Sequence, residues 1–185
     1  MFLYVHGFAS TGQAFKGRVL SNFFGRENVI CPTLSADPAC AMAELEAIVT
    51  AHLDRGLTLV GSSLGGFYSI YLSEKYKLKA VLINPVVDWR VMQHMVGRNK
   101  NWQTGQWFEF TAEACRELEL FSVSCPTDSR YLLLLQRDDE LLDYRKAIAF
   151  MPSADCIVKS GGGHHYNDFN GDMGKVKAFA ANPNL

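Results

Sequence analysis

The chain has 185 residues, 48% of them hydrophobic and 20% charged, with a formal net charge of −1. That balance describes an ordinary globular chain long enough for a full core, and it excludes a disordered polymer or a basic nucleic-acid binder. No run reaches the ~18 apolar residues of a membrane span, and the opening MFLYVHGF lacks the basic region of a secretory signal.

Taken in chain order, FLYVHG (2–7) reads as a strand and 12–24 as a helix, followed by a strand NVICPTL (28–34) and a helix over 38–53. LTLVGS (57–62), a helix over 65–76 and KAVLINPV (79–86) come next. After a long interval, RYLLLLQ (130–136), a helix over 142–151, ADCIVKSG (154–161) and a helix over 173–181 complete the series. Most of the strand runs are continuously apolar and not alternating, which is what strands covered on both faces require. The βαβ rhythm predicts one α/β domain over 1–185, with a mostly parallel six-stranded sheet and helices on both faces.

The interval 88–129 breaks the rhythm. It has no strong strand and carries Trp89, Met92, Met95, Trp102, Trp107, Phe108, Phe110 and Phe121, with a short helix expected after Thr111 as its N-cap. A connection this long suggests a cap-like insertion. Its aromatic residues either pack an extra helical layer or line a pocket, and the two roles are compatible. Trp102, Trp107 and Phe108 are the candidate substrate-binding residues.

LTLVGSSLGGFYSIYLSE (57–74) drives a strand straight into a helix through Gly-Ser-Ser-Leu-Gly-Gly. Such a sharp turn needs small residues two before and two after its apex, as in a nucleophile elbow. Ser63 has Gly61 and Gly65 at those positions, whereas Ser62 would have Val60 and Leu64. Ser63 is therefore the candidate nucleophile.

A serine hydroxyl needs a histidine base and an acid to orient it. An acid cluster, Asp138-Asp139-Glu140, follows the fifth predicted strand, and Gly161-Gly162-Gly163-His164-His165 follows the sixth. Both therefore fall on loops at the elbow's edge of the sheet, in the order acid then histidine. His52 lies in a helical stretch and His94 in the insertion, so neither fits. The three glycines favour His164 over His165. Adjacent histidines rarely converge on one ion, so no metal site is expected there. Asp143 reads as the start of a helix. An oxyanion hole would draw on the N–H of Leu64, directly after the nucleophile, and on that of Phe8 in the loop after the first strand. The five cysteines, at 31, 40, 115, 125 and 156, are scattered and lack CxxC spacing, so they read as reduced thiols of a cytoplasmic protein.

FLYVHGFAS, GSSLGGFYSIYLSEKY, AVLINPVV, YLLLLQRDDELLDYR and GGGHHYNDF resemble the small YqiA-type bacterial esterases of the α/β-hydrolase superfamily over nearly the whole chain. The resemblance implies a compact α/β-hydrolase fold with a short helical cap, a Ser63–Asp139–His164 triad, and esterase or acyl-thioesterase activity without a cofactor. The chain departs from the family pattern at Gly163, His165 and Asp138. The expected partner is a small-molecule ester or thioester, with no nucleic acid and no membrane span; the oligomeric state is left open. The rival reading is a module of the same fold that binds a ligand or protein without catalysis.

Overall fold

The structure, a computed structural model, describes residues 1–183. Six parallel strands form its main sheet: β1 (Phe2–Val5), β2 (Val29–Ile30), β3 (Thr58–Ser62), β4 (Lys79–Ile83), β7 (Tyr131–Gln136) and β8 (Asp155–Lys159). They lie in the order β2-β1-β3-β4-β7-β8. The helices are α1 (Phe15–Phe24), α2 (Pro38–Thr50), α3 (Leu64–Tyr76), α4 (Ala112–Glu117), α5 (Tyr144–Phe150) and α6 (Met173–Ala181). None of the described helices is long and apolar enough to cross a membrane.

The apolar strand runs divide by parity. Leu3, Val5, Leu59, Ala80, Leu82, Leu133 and Leu135 pack with α2 and α3 in one buried cluster. Phe2, Tyr4, Val60, Val81, Ile83, Leu132 and Leu134 pack with α1 and α6 in the other. Successive strand residues point to opposite faces, so an unbroken apolar run is what two covered faces demand. Removing this surface from water is the main force holding the layers together, at about 25 cal/mol per Å².

Some boundaries are shorter than expected. β2 has only two residues, because the chain leaves the sheet at Cys31 and Pro32 has no N–H to offer a ladder. The first helix starts at Phe15 and not at 12. The Asp37 side chain caps α2 by accepting the Cys40 N–H at 2.8 Å, and Pro38 occupies its first turn.

The interval 88–129 holds a hairpin that the sequence did not announce. A 3-10 turn over Trp89–Met95 leads into β5 (Gly97–Lys100), which pairs antiparallel with β6 (Trp107–Phe110). Thr111 then caps α4 as expected, accepting the Ala114 N–H at 3.0 Å. Each hairpin strand has four residues, and Gly-Arg-Asn-Lys offers no apolar periodicity to detect. The hairpin is anchored on the loop after β1: the Trp102 N–H donates to Ala9 O and the Asn101 amide to Ser10 O, both at 2.9 Å. Phe8 packs edge-on against Phe108 and Phe110, with centroids 5.5 and 5.0 Å away.

Candidate active site

Five strands deliver the site. The loops after β1, β3, β4, β7 and β8 meet at the carboxyl edge of the sheet, beside the point where chain direction across the sheet reverses, between β1 and β3.

Ser63 occupies the turn between β3 and α3 with φ 56 and ψ −121, a conformation that costs energy for any residue but glycine. Its flanks cannot carry side chains. A Cβ on Gly65 would sit 2.0 Å from the Val5 carbonyl oxygen, and one on Gly61 would sit 2.4 Å from both the Gly65 oxygen and Ser69 Oγ. Backbone hydrogen bonds hold the turn: the Ser63 N–H donates to Ile83 O, and Ser63 O accepts from Val86, each at 3.0 Å. Ser62 is buried below the elbow.

His164 Nε2 lies 2.9 Å from Ser63 Oγ, and its Nδ1 lies 2.9 and 3.1 Å from the two Asp139 oxygens. With the proton on Nδ1, the ring donates a hydrogen bond to Asp139 and its Nε2 can accept one from the Ser63 hydroxyl. Asp139 Oδ1 also accepts the Leu141 and Leu142 N–H groups, each at 2.9 Å. Burial pushes the Asp139 pKa up. The bond and charge of His164 and the two N–H donors outweigh that, and hold it below the usual carboxylate value. His165 is exposed and its ring stands apart from these groups.

The histidine loop is held at several further points that the sequence reading did not assign. Asp138 Oδ2 accepts the Gly161 N–H at 2.7 Å, and Glu140 Oε2 accepts the His164 N–H at 2.9 Å. Asn84, 3% exposed and at φ 40, accepts the Gln136 N–H through Oδ1 at 2.8 Å. Its Nδ2 donates to the carbonyls of Gly163 and His164, at 3.3 and 3.1 Å. Lys16 Nζ donates to His165 O at 2.6 Å from a buried position, where desolvation pushes its pKa down to about 8. The one local hint was a polar residue, Asn84, closing an apolar strand ahead of Pro85.

Gly7 passes so close over the elbow that a Cβ there would lie 3.1 Å from Ser63 Cβ. Phe8 follows it. Leu64 opens α3, so its N–H belongs to the first-turn donors that lack a helical acceptor. His6 fixes this loop in place: Nδ1–H donates to Gly7 O at 2.8 Å and Nε2 accepts the Leu34 N–H at 2.9 Å. That pairing requires neutral imidazole, and burial lowers its pKa accordingly.

A cavity of about 290 Å³ opens beside the elbow, with Phe8, Leu34, Leu64, Tyr68 and Phe108 among its walls. Of the three aromatic residues expected there, only Phe108 lines it. Trp102 and Trp107 are 77% and 53% exposed, and the Arg98 guanidinium covers the Trp107 ring at 4.6 Å. Trp107 takes the face of β6 opposite Phe108, and Trp102 sits in the exposed turn between β5 and β6. Among the described residues no three His, Cys, Asp or Glu side chains are grouped to hold a metal ion.

The sheet order and layering define an α/β-hydrolase fold. The chain belongs to the uncharacterised protein family UPF0227, the YqiA-type family, whose model matches residues 1–181. Among solved structures it is similar to mouse alpha/beta hydrolase domain-containing protein 10, at TM-score 0.71 and 18% identity over 96% of this chain and 88% of that one. It is also similar to the esterase domain of a Rhodothermus marinus protein, at TM-score 0.68 and 16% identity over 95% and 83% of the two chains. Est1E from Butyrivibrio proteoclasticus, solved with ferulic acid bound, matches at TM-score 0.65 and 12% identity over 97% and 86%.

Proposed function

We propose that the protein is a serine hydrolase that cleaves small carboxylic esters or acyl thioesters through an acyl-enzyme on Ser63. The observation that carries this reading is the unbroken hydrogen-bonded chain from Asp139 through His164 to a serine in strained backbone. The esterases among its structural neighbours support the reaction class.

In this mechanism His164 Nε2 takes the Ser63 proton as Oγ attacks the carbonyl carbon, and Asp139 stabilises the imidazolium that forms. The N–H groups of Phe8 and Leu64 hold the developing oxyanion, each donor contributing about 3 kcal/mol in comparable sites. His164 then protonates the leaving alcohol or thiol. A water molecule, deprotonated by the same histidine, attacks the acyl-enzyme and releases the acid. No step calls for a cofactor. The hairpin, fixed to the Phe8 loop, roofs the acyl side of the site.

The test is labelling by a fluorophosphonate probe, with the modified residue located by peptide mass spectrometry. Adduct on Ser63, lost in Ser63→Ala and accompanied by turnover of p-nitrophenyl butyrate, is the expected result. A folded protein that is neither labelled nor active would be a binding module instead.

A further inference from the structure

Buried hydroxyls almost always find a hydrogen-bond partner, so one that does not calls for an explanation. Tyr68 is 4% exposed and lies one helical turn beyond Leu64 on α3, where its ring meets Phe67 and Phe121 edge-on. It lines the cavity beside the elbow, yet its hydroxyl has no hydrogen-bond partner among the described residues. That oxygen is also absent from the fully enclosed unpaired atoms, so it keeps access to open space.

The rest of the lining separates into a wet rim and a dry base. Thr33, Ser35, Thr104 and Gln106 are exposed at the rim, where water serves their polar groups. Phe8, Leu34, Leu64 and Phe108 offer apolar wall. The other buried polar side chain of the lining, His6, has both ring nitrogens engaged. Tyr68 is left as the buried polar side chain of the lining without a hydrogen-bond partner among the described residues.

Resting on the serine-hydrolase reading, we propose that Tyr68 is the specificity residue of the acyl pocket. Its hydroxyl donates a hydrogen bond to a neutral oxygen, such as a ketone or hydroxyl, carried partway along a short acyl chain. Leu64 and Tyr68 are four residues apart on the helix, about 6 Å along its axis. The recognised oxygen therefore lies beyond the carbonyl undergoing attack. A cavity of about 290 Å³ is at the small end for ligand sites and suits a short acyl group. A carboxylate at that position is disfavoured: burial chiefly keeps the Tyr68 hydroxyl protonated, and the negative charge of Asp37 also reaches it.

The experiment compares kcat/KM for the p-nitrophenyl esters of hexanoic, 4-oxohexanoic and 5-oxohexanoic acids, and for the adipate monoester, in wild type and Tyr68→Phe. Wild type should prefer at least one oxo ester over hexanoate by about tenfold, since a site built around a donor discriminates against substrates lacking the acceptor. The adipate monoester should be the poorest. In Tyr68→Phe, which removes a single oxygen, the oxo preference should fall to about one at an unchanged melting temperature. Hydrolysis of all the esters without oxo preference, or a preference that survives Tyr68→Phe, overturns this proposal and leaves the serine-hydrolase reading intact. Absence of both turnover and fluorophosphonate labelling in wild type overturns the two together.

Discussion

Glu140 accepts the backbone N–H of His164 at 2.9 Å, while the neighbouring Asp139 binds the ring of the same histidine. With Asp138 on Gly161, three consecutive carboxylates each hold a different point of one loop. Glu140→Ala should release the backbone and let the imidazole drift from Ser63. A misplacement of about 1 Å at a reacting group can cost ~100-fold, so kcat should drop about 10- to 100-fold with KM little changed. Glu140→Gln keeps an oxygen that can accept the same N–H and should retain most of the activity. Steady-state kinetics of the pair check this; equal losses in both would assign the effect to charge and not to the backbone bond.

Ser63→Ala and His164→Ala should each lower turnover on the order of a million-fold, as loss of a triad serine or histidine does. Ser62→Ala and His165→Ala should keep activity within about tenfold, because Ser62 lies beneath the elbow and the His165 ring is exposed. Rates on p-nitrophenyl butyrate for the four variants, with circular dichroism to show folding, make the comparison.

Trp102→Ala and Trp107→Ala should leave the acyl-chain profile as in wild type, since both rings face outward from the hairpin. Phe108→Ala enlarges the cavity and should shift the optimum toward longer chains, each added methylene contributing up to ~0.8 kcal/mol where it is buried. Measuring kcat/KM from acetyl to octanoyl esters separates the three. A shifted profile in Trp102→Ala would restore that ring to the pocket.

Lys16 gives a pH signature. Burial pushes its pKa down to about 8, against ~10.4 for a lysine in an unfolded chain. Below the folded value both states carry the proton, and the buried charge weakens the fold in full. Between about pH 8 and 10.4 the unfolded chain binds more protons, so the lysine's contribution to stability rises with pH. In Lys16→Met that rise is absent. The stability gap between wild type and Lys16→Met, read from urea midpoints at pH 7, 8.5 and 9.5, should therefore move in favour of wild type as pH increases. A constant gap would mean that the ammonium is solvated.

Much of this was legible where the signal is local. The elbow depends on glycines two residues either side of Ser63, and the strand runs record burial on both faces. The acid and histidine loops follow β7 and β8 in the order a parallel sheet requires to bring them to one edge. What escaped depends on distant partners. Asn84 contacts Gln136 and His164, 52 and 80 positions away along the chain, and nothing near it in sequence reports either bond. Trp102 and Trp107 read as pocket-lining residues in a string of letters. Trp107 points outward because of its register place in the β5–β6 pairing, where the Arg98 guanidinium covers its ring, and Trp102 is exposed in the turn that joins the two strands.

The hydrogen bond between Ser63 and His164 spans 101 residues of chain. During synthesis at ~5–20 residues per second, the proposed nucleophile leaves the ribosome several seconds before its base is made. Among the described residues β8 pairs with β7 alone, at the edge of the sheet, and the histidine loop follows it. A nascent chain can thus have a formed elbow and still be chemically silent toward cellular esters. On the proposed mechanism reactivity switches on with the segment that carries His164, so the onset of probe labelling in stalled chains of increasing length would time the arrival of β8 and the histidine loop.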